Sequence, residues 1–588
     1  MMKRGIRLVF GLIATAVFVS MAAILTLYLV VSREPSVAQQ SALVLRPAGE
    51  LHEVLPDDVF GQFMRSDVTT VRGFVESLRK ARRDPRISTV LLMPGSLELP
   101  FWGKVQELRD AVVDFRKSGK TVVAFLEFGG DREYYLASAA DRVFLLPTSP
   151  LDLTGVASYE IFLRGTLDKI GAYPDFRHIG EYKTAVNQLT ETSMTPAHRE
   201  MSESLNRDMY DQLVRGLAAS RKKTEAEIRA LLDQGPFLPE DALRAGLVDD
   251  LAYEDQLDDR VPQLKAASGD MRRIEDAEYR HVSPRSVGIR PQSRIAVIYA
   301  AGVIASGRSG IDPVNGAVAG SDTLLDQIRR IRDDETVKAI VLRVDSPGGS
   351  STASDVIWRE LMITRDQKPS RPLVVSMSDL AASGGYYIAM PGQWIVAQPA
   401  TLTGSIGIYT GKMVTGGTLG KLGITTETVK SGRNADMYSP LAPFSPEQRA
   451  KVDEYMQGFY DQFVEKVAEA RHTTPERIDA IAQGRVWTGR QAKDIGLVDE
   501  LGGLDAAIAA AKQRARIPND EDVELVMFPP RRSFYEALAD QLGGASAGSG
   551  LRALLGDRDA RAVAALTTPM RLFRRGEPLA LMPFAFMR

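Results

Sequence analysis

The sequence predicts an α/β protein in which two copies of one domain follow an N-terminal transmembrane helix. Three observations support this fold class: an uncharged apolar run near the N-terminus, an internal repeat with a period near 250 residues, and short apolar runs that alternate with helical patterns. The length of 588 residues leaves room for two large domains. The hydrophobic fraction of 44% and the charged fraction of 25% are typical of globular proteins and exclude a disordered chain.

The apolar run covers residues 8–31 and contains no charged side chain. A helix needs about 20 apolar residues to cross a bilayer, so this run is long enough to span one. Three basic residues precede it, Lys3, Arg4 and Arg7. The positive-inside rule therefore places residues 1–7 in the cytoplasm and the following chain outside. Because the run is longer than the core of a cleaved signal peptide, we expect an uncleaved signal-anchor in the inner membrane; a buried core helix is the alternative.

An internal repeat indicates a tandem duplication. The segment 242–251 recurs as 492–501 at an offset of 250, and 134–137 recurs as 386–389 at an offset of 252. Other pairs follow in the same order at offsets of 249 to 253: Ala48-Gly49 with Ala301-Gly302, Pro94-Gly95 with Pro347-Gly348, Thr154-Gly155 with Thr403-Gly404, and Gly180 with Gly432. Ordered matches across most of the chain are not expected by chance.

The repeat sets the predicted domain boundaries. The first copy covers residues 42–285 and the second covers 286–520, with a Pro- and Ser-containing joint at 281–293. Residues 530–588 form a C-terminal tail to which the sequence assigns no role, and its stretch 543–550 is typical of a flexible linker.

Strand and helix patterns alternate within the second copy. The predicted strands are Ile295–Tyr299, Ala339–Val344, Leu373–Ser376 and Trp394–Ala397, and the predicted helices are Asp322–Ile331, Ala353–Thr364 and Ser383–Met390. In the first copy, Thr121–Ala124 matches the third of these strands. Strands that alternate with helices through Gly-rich turns predict βαβ units around a buried sheet.

Composition excludes several classes of function. The formal net charge is −2, so we expect no nucleic-acid partner. The chain contains no cysteine, which excludes disulfides, thiol catalysis and Cys-ligated metals. The five histidines lie far apart in the sequence, so we expect no metal and no cofactor.

Two Gly-rich turns of the second copy are candidates for a catalytic site. The turn 345–350 follows a predicted strand, and its Gly348 and Gly349 allow backbone N–H groups to approach a substrate oxygen; an ordinary strand-to-helix turn is the alternative. The turn 381–386 places small residues around Ser383, with the Gly384 amide beside it to stabilise an oxyanion. The alternative for Ser383 is a simple helix N-cap.

A nucleophilic serine needs a base, and the duplication supplies a candidate. Lys183 in the first copy corresponds to Ala435 in the second, whereas Ser383 corresponds to Asp131. One copy therefore keeps the lysine and the other keeps the serine, which suggests a Ser-Lys pair divided between the copies. The alternatives are that Lys183 is a surface lysine, or that folding brings His178 to the serine.

Several motifs together resemble the signal peptide peptidase A family, the long, duplicated form of membrane-bound Ser-Lys proteases. The motifs lie at 180–187, 345–350, 381–389, 401–407 and 486–501, and the resemblance extends from about residue 42 to 520. It implies tandem crotonase- or Clp-protease-like domains, with Ser383 as nucleophile and Lys183 as general base. It also implies that Ser405 orients the lysine amine and that the protein is a ring-like homo-oligomer, a tetramer in the long form.

The resemblance implies peptide hydrolysis outside the cytoplasm. The expected substrates are remnant signal peptides and other apolar, unfolded peptides that leave the bilayer. Two alternatives stay open at this point. One is a crotonase-like acyl-CoA enzyme that uses the Gly-Gly turn for a thioester, and the other is a non-catalytic membrane scaffold.

Overall fold

The computed structural model describes residues 15, 18, 34–53, 70–266, 269–270, 272–312, 316–529, 573, 576–583 and 586–587. The predicted transmembrane segment, residues 8–31, lies outside the described residues apart from Thr15 and Phe18, and so does the predicted linker 543–550. Among the residues that are described, no helix combines the length and apolarity that a membrane span requires.

The first half is built on a six-stranded parallel sheet. Its strands, in spatial order, are Arg273–Glu275, Ser41–Leu45, Ile87–Leu92, Thr121–Leu126, Arg142–Leu145 and Asp250–Leu251. The main helices around it are Val71–Arg83, Gly103–Arg116, Asp131–Ala137, Arg164–Ile170, Pro196–Arg221, Glu225–Leu232 and Pro239–Arg244. Because helices and loops cover both faces, the central strands are almost continuous apolar runs, and five of the six residues of Ile87–Leu92 are buried.

The second half repeats this plan in an eight-stranded sheet. Its strands, in spatial order, are Val486–Thr488, Leu402–Gly404, Leu373–Ala382, Val337–Ser346, Ser293–Ala301 and Val523–Phe528, with Trp394–Ala397 and Glu500–Leu501 paired beside Leu373–Ala382. The main helices are Ser321–Asp333, Ser351–Gln367, Gly384–Ala389, Gly416–Lys421, Pro446–Ala470, Pro475–Ile481, Gly489–Asp494 and Leu504–Arg514. The matching order of strands and helices in the two halves agrees with the duplication that the sequence predicts.

The elements predicted for the second copy are present, with longer boundaries in most cases. The strand predicted at Leu373–Ser376 extends to Ala382, directly before the candidate nucleophile. One prediction was incomplete: the turn 345–350 contains a short strand, Gly348–Ser350, that pairs with strands on both sides. Because glycines give no alternating apolar pattern, the sequence of this segment predicts a turn and does not indicate the strand.

A third sheet joins the two halves and the C-terminal tail. Its seven strands, in spatial order, are Gly310–Asp312, Gly316–Gly320, Val303–Ala305, Gly348–Ser350, Leu579–Leu581, Ile408–Val414 and Tyr173–Ile179. The last pair is antiparallel over seven residues and connects the second half to the first. This pairing brings the segment after Tyr173–Ile179, which contains Lys183, to the second half.

A buried ionic cluster also joins the halves. Arg343, on the strand Val337–Ser346, donates to Glu53 through Nε and Nη2, both at 2.9 Å, and its Nη2 lies 2.6 Å from an oxygen of Glu107. The arginine comes from the second half and both carboxylates come from the first. All three side chains are buried, so each charge depends on the others for compensation.

Candidate active site

Ser383 lies at the junction between the strand Leu373–Ala382 and the helix Gly384–Ala389. It occupies the N-cap position with a positive φ of 57°, which is rare for residues other than glycine. Its side chain makes no capping hydrogen bond, so the simple N-cap alternative does not hold. The Ser383 amide donates to the Gly404 carbonyl at 2.7 Å, which keeps this strained turn in place.

Lys183 enters the same site from the first half. It follows the strand Tyr173–Ile179, and its loop packs backbone to backbone against Gln483 and Gly484. The Tyr182 amide donates to the Gln483 carbonyl at 2.8 Å. A Cβ on Gly484 would lie 2.5 Å from the Cβ of Lys183, so only glycine permits this approach.

Lys183 and Ser383 are in direct contact, although 200 residues separate them in the sequence. The distance from Lys183 Nζ to Ser383 Oγ is 2.7 Å. The amine also lies 3.0 Å from the Ser405 carbonyl oxygen and 3.0 Å from Ser405 Oγ. A neutral amine has two N–H donors and one lone pair. The two Ser405 oxygens can accept both N–H bonds, which leaves the lone pair for the Ser383 hydroxyl proton.

The surroundings of Lys183 favour that neutral amine. Lys183, Ser383 and Ser405 are all 0% exposed to solvent. Burial holds the pKa of Lys183 well below its ordinary value, because desolvation penalises the ammonium form. A lysine that burial keeps neutral can accept a proton from a neighbouring hydroxyl.

The three candidate oxyanion glycines converge beside Ser383. A Cβ on Gly348 would lie 2.8 Å from the Gly384 nitrogen, and one on Gly384 would lie 3.1 Å from the Gly349 nitrogen. Gly348 and Gly349 have φ of 103° and 155°, a region open to glycine. The short strand that contains them therefore approaches the start of the Ser383 helix without side chains between them.

The alternative base His178 and the two counterpart residues, Asp131 and Ala435, lie apart from this contact. His178 is exposed, and its Nδ1 lies 3.0 Å from the Gly180 carbonyl oxygen. Asp131, the counterpart of Ser383, accepts backbone N–H bonds from Gly155 at 2.9 Å and Thr154 at 3.1 Å. Burial raises the pKa of Asp131 to about 6. Ala435, the counterpart of Lys183, lies in an exposed segment.

The residues that hold Lys183 and Ser405 were not predicted from the sequence. The Ser405 amide donates to the Arg485 carbonyl at 2.6 Å, and the Gly484 amide donates to Ile406 at 2.8 Å. The only signal was a glycine just before the motif 486–501, and one glycine does not show which backbone it contacts. No cluster of metal-ligating side chains occurs among the described residues.

Comparison with known proteins identifies the family. The model of peptidase family S49 matches residues 114–268 and again 365–518, one match in each half. A serine protease SPPA, chloroplastic, of Arabidopsis thaliana is 35% identical over 77% of this chain and 66% of its own length. Protease 4 of Salmonella typhi is 36% identical over 75% of this chain and 72% of its own length. Protease 4 of Haemophilus influenzae is 32% identical over 76% of this chain and 74% of its own length.

Solved structures resemble a smaller part of the chain. A 1510-N membrane-bound stomatin-specific protease is 14% identical over 41% of this chain and all of its own, with a TM-score of 0.25. ClpP1 of Listeria monocytogenes is 15% identical over 36% of this chain and 94% of its own, with a TM-score of 0.23. The sequence matches are the decisive ones, because they cover both halves and most of the chain. The chain therefore belongs to peptidase family S49 and is a serine protease.

Proposed function

We propose that the protein is a membrane-anchored endopeptidase in which Ser383 is the nucleophile and Lys183 the general base. The observation that carries this proposal is the 2.7 Å contact between Lys183 Nζ and Ser383 Oγ in a fully buried site. The two residues come from different halves, so the duplication gives each half one part of the site. In both halves the central sheet accords with the crotonase- or Clp-protease-like fold that we propose for them.

Acylation begins when the Ser383 oxygen attacks the carbonyl carbon of a peptide bond. The Nζ lone pair of Lys183 takes the hydroxyl proton, while the Ser405 oxygens accept the two N–H groups and keep the lone pair directed at Ser383. The tetrahedral intermediate carries an oxyanion, which the amides around Gly348, Gly349 and Gly384 stabilise. The Lys183 ammonium then gives its proton to the leaving nitrogen, and an ester on Ser383 remains.

Deacylation repeats the proton transfer with water. Lys183, neutral again, takes a proton from a water molecule that attacks the ester carbonyl. Collapse of the second intermediate returns that proton to Ser383 Oγ and releases the new carboxyl terminus. The Lys183 amine therefore acts first as a base and then as an acid in both acylation and deacylation.

The proposed substrates are apolar, unfolded peptides, including remnant signal peptides, that leave the membrane outside the cytoplasm. The anchor at residues 8–31 supports this choice, because it would hold the site close to the bilayer surface. Family membership favours peptide hydrolysis over the crotonase-like acyl-CoA enzyme and over the non-catalytic scaffold.

We also propose a head-to-tail ring, with four copies as the expected number. In the first half, Tyr173–Ile179 pairs with Ile408–Val414. The corresponding segment of the second half, 425–431, is exposed throughout, as is the adjacent Ile424, and Val429 is 100% exposed. Shifting Ile408–Val414 by the same offset of 252 gives residues 156–162 of the first half as the expected partner of this segment. They include the exposed Tyr159 and Ile161. Pairing of these segments between neighbouring copies repeats the internal contact and closes a ring.

Paired substitutions at Ile424 and Val429 test the assembly. We expect Ile424→Asp with Val429→Asp to convert the oligomer to smaller species in analytical ultracentrifugation of detergent-solubilised protein. A matched pair of Asp substitutions at Lys222 and Glu240, outside both segments, should leave the mass unchanged. An unchanged mass in the first variant would contradict this interface.

Peptide cleavage by two point variants tests the catalytic proposal. We expect Ser383→Ala and Lys183→Met each to lower kcat/KM by at least about 10⁴-fold, as loss of a nucleophile or its base does in serine proteases. Lys117→Met, at a lysine that is 65% exposed, is the matched control and should retain activity. Wild-type activity in either active-site variant would reject the Ser-Lys pair.

A further inference from the structure

Arg485 lies beside the candidate active site, directly before the motif 486–501. Its guanidinium group lies over two aromatic rings, with the guanidinium carbon 4.7 Å from the centre of the Tyr182 ring and 4.4 Å from the centre of the Trp487 ring. Tyr182 belongs to the first half and directly precedes Lys183, whereas Trp487 belongs to the second half. Because a planar guanidinium group stacks on aromatic faces, these contacts join the two halves at the Lys183 loop.

An ion pair with the first half holds the same guanidinium group. Nη1 and Nη2 of Arg485 donate to the two carboxylate oxygens of Glu200, at 2.6 and 2.8 Å, and Glu200 lies on the helix Pro196–Arg221. Hydrogen bonds from Arg485 lower the pKa of the Glu200 carboxyl, and the Tyr182 hydroxyl adds a hydrogen bond to it. The Glu200 side chain is half exposed, so the ion pair contributes orientation more than stability. We call Tyr182, Glu200 and Arg485 the Arg485 cluster.

The backbone of Arg485 holds the other side of the site. Its carbonyl accepts the Ser405 amide at 2.6 Å. Ser405 follows Gly404, whose carbonyl accepts the Ser383 amide at 2.7 Å. Ser405 has a positive φ of 49°, a conformation that persists in a residue other than glycine only where its surroundings support it. Arg485 therefore contacts the Lys183 loop through its side chain and Ser405 through its carbonyl.

The other copy of the domain has no equivalent of the Arg485 cluster. The offsets of 250 and 252 found in the repeat give a counterpart for each member: Ala450 for Glu200, Gly235 for Arg485 and Asn434 for Tyr182. None of these counterparts is aromatic or charged. The cluster is therefore present only where a lysine of the first half meets a serine of the second half. This favours a role at that meeting point over a role in the fold that both copies share.

We infer that Arg485 is a positioning residue for the Ser-Lys relay: its side chain fixes the Lys183 loop and its carbonyl fixes Ser405. The inference rests on the proposed function, because it takes Lys183 as the base. Without the guanidinium group, Tyr182 loses its cationic neighbour and Glu200 loses its ion-pair partner, so the loop can shift. A displacement near 1 Å lowers a catalytic rate by about 10²-fold. An amine that moves toward water also regains a pKa closer to that of a free lysine.

The kinetics of Arg485→Met test the inference. Methionine keeps an unbranched apolar stem but has neither the charge nor the planar fork. We expect kcat to fall at least about 10-fold, and the ascending pH limb of kcat/KM to move to higher pH by about 1 unit. Arg477→Met, at an exposed arginine of the helix Pro475–Ile481, is the matched control and should change neither quantity. An unchanged pH limb in Arg485→Met would overturn the inference, because a purely structural loss of active protein lowers kcat without moving that limb.

Guanidinium ions test the contribution of the side chain alone. Arg485→Ala keeps the carbonyl that accepts the Ser405 amide and leaves a space beside the Tyr182 ring and the Glu200 carboxylate. We expect guanidinium chloride, far below denaturing concentrations, to restore activity several-fold, because a planar cation can make the paired contact. Methylammonium chloride at the same concentration should not, and wild-type protein in both salts controls for denaturation. Equal activity of Arg485→Ala in the two salts would contradict the inference.

A double substitution tests whether Arg485 acts through Tyr182. Tyr182→Leu removes the same contact from the other side, so we expect it to move the pH limb in the same direction. Residues that act as one unit have non-additive effects, so Arg485→Met with Tyr182→Leu should be no slower than the slower single variant. Losses in kcat/KM that multiply in the double variant would show that the two side chains act independently, and would overturn the inference.

Hydrogen–deuterium exchange separates the inference from the proposed function. Mass spectrometry follows the backbone amides of residues 180–187 and does not depend on activity. We expect faster exchange of this segment in Arg485→Met than in wild type or Arg477→Met, because the hydrogen bond from the Tyr182 amide to the Gln483 carbonyl opens more often. Equal exchange in the three proteins would overturn the inference. Faster exchange together with full peptide hydrolysis by Lys183→Met would reject the proposed function alone.

Discussion

At the scale of single residues, the site depends on one amine with three oxygen neighbours. Ser383 Oγ and the two oxygens of Ser405 surround Lys183 Nζ at 2.7 to 3.0 Å, and none of these three residues is exposed. A charged ammonium in this place would lose its hydration without gaining a carboxylate. Desolvation therefore favours the neutral amine, and in the proposed relay the Ser405 oxygens orient it.

The first prediction concerns the pH dependence of activity. Only the neutral amine can accept the Ser383 proton, and burial lowers the pKa of Lys183 well below that of a free lysine. We expect kcat/KM to rise with pH through this lowered pKa and then to reach a plateau. Steady-state kinetics between about pH 5 and pH 10 measure this dependence of kcat/KM on pH. An ascending limb at the ordinary lysine pKa of ~10.4 would contradict the assignment.

The second prediction concerns the glycine that supports Lys183. In Gly484→Ala the new methyl would lie 2.5 Å from Lys183 Cβ, so the lysine must move away from Ser383. We expect kcat/KM to fall about 10²-fold, the usual effect of a displacement near 1 Å. Gly423→Ala is the matched control, because Gly423 has a similar φ of 74° and no atom within 4 Å of the new methyl. Similar losses in both variants would show that backbone strain alone is responsible.

At the scale of elements, the two halves use the same strand–turn–helix unit for different purposes. In the second half the turn presents Ser383. In the first half the equivalent turn presents Asp131, whose carboxylate accepts the amides of Thr154 and Gly155 and closes the unit on itself. The same βαβ framework therefore holds the proposed nucleophile in one copy and a hydrogen-bonded carboxylate in the other.

The third prediction follows from the raised pKa of Asp131, which is about 6 because of burial. The folded protein binds this proton more tightly than the unfolded chain does, so wild-type stability decreases as pH rises from about 4 to 6. Asp131→Asn keeps the acceptor oxygen and removes the charge. We expect the variant to gain about 2 to 3 kcal/mol relative to wild type between pH 4 and pH 7, at 1.36 kcal/mol per pKa unit. Denaturant unfolding at pH 4 and pH 7 measures the difference in free energy of unfolding between the variant and wild type. The same difference at both pH values would contradict the prediction.

The elements themselves were largely predictable from the sequence, because buried strands such as Val337–Ser346 are apolar runs with Gly-rich ends. Comparing the two copies also singled out Lys183 and Ser383, since each has a different residue in its counterpart. The support from Gln483 and Gly484 was not predictable, because backbone contacts across 300 residues leave no periodic pattern. The tail strand was missed for the same reason: three residues, Leu579–Leu581, are too few to show a period.

At the scale of the whole molecule, the site exists only while the two halves stay together. Lys183 comes from one half and Ser383 from the other, and two features hold them in register. One is the antiparallel pairing of Tyr173–Ile179 with Ile408–Val414. The other is the buried cluster of Arg343 with Glu53 and Glu107.

The fourth prediction concerns that cluster. Arg343→Ala removes the ion-pair partner of two buried carboxylates, so we expect the free energy of unfolding to fall by about 3 to 5 kcal/mol. Arg244→Ala is the matched control, since the Arg244 side chain is 73% exposed, and it should change stability by less than about 0.5 kcal/mol. Chemical denaturation measures both. A loss in Arg343→Ala no larger than in the control would show that the cluster does not hold the halves together.

The most direct test of the Ser-Lys relay replaces the amine and then restores it. Because the chain has no cysteine, Lys183→Cys introduces the only thiol, and bromoethylamine treatment of the unfolded variant builds a lysine analogue at that position alone. We predict that the untreated variant is inactive. The alkylated and refolded variant should recover peptide hydrolysis, with its ascending pH limb shifted to lower pH because the inserted sulfur makes the amine less basic. Wild-type protein taken through the same treatment controls for refolding. If that control is active while the alkylated variant stays inactive, or if its pH limb does not move, Lys183 is not the base.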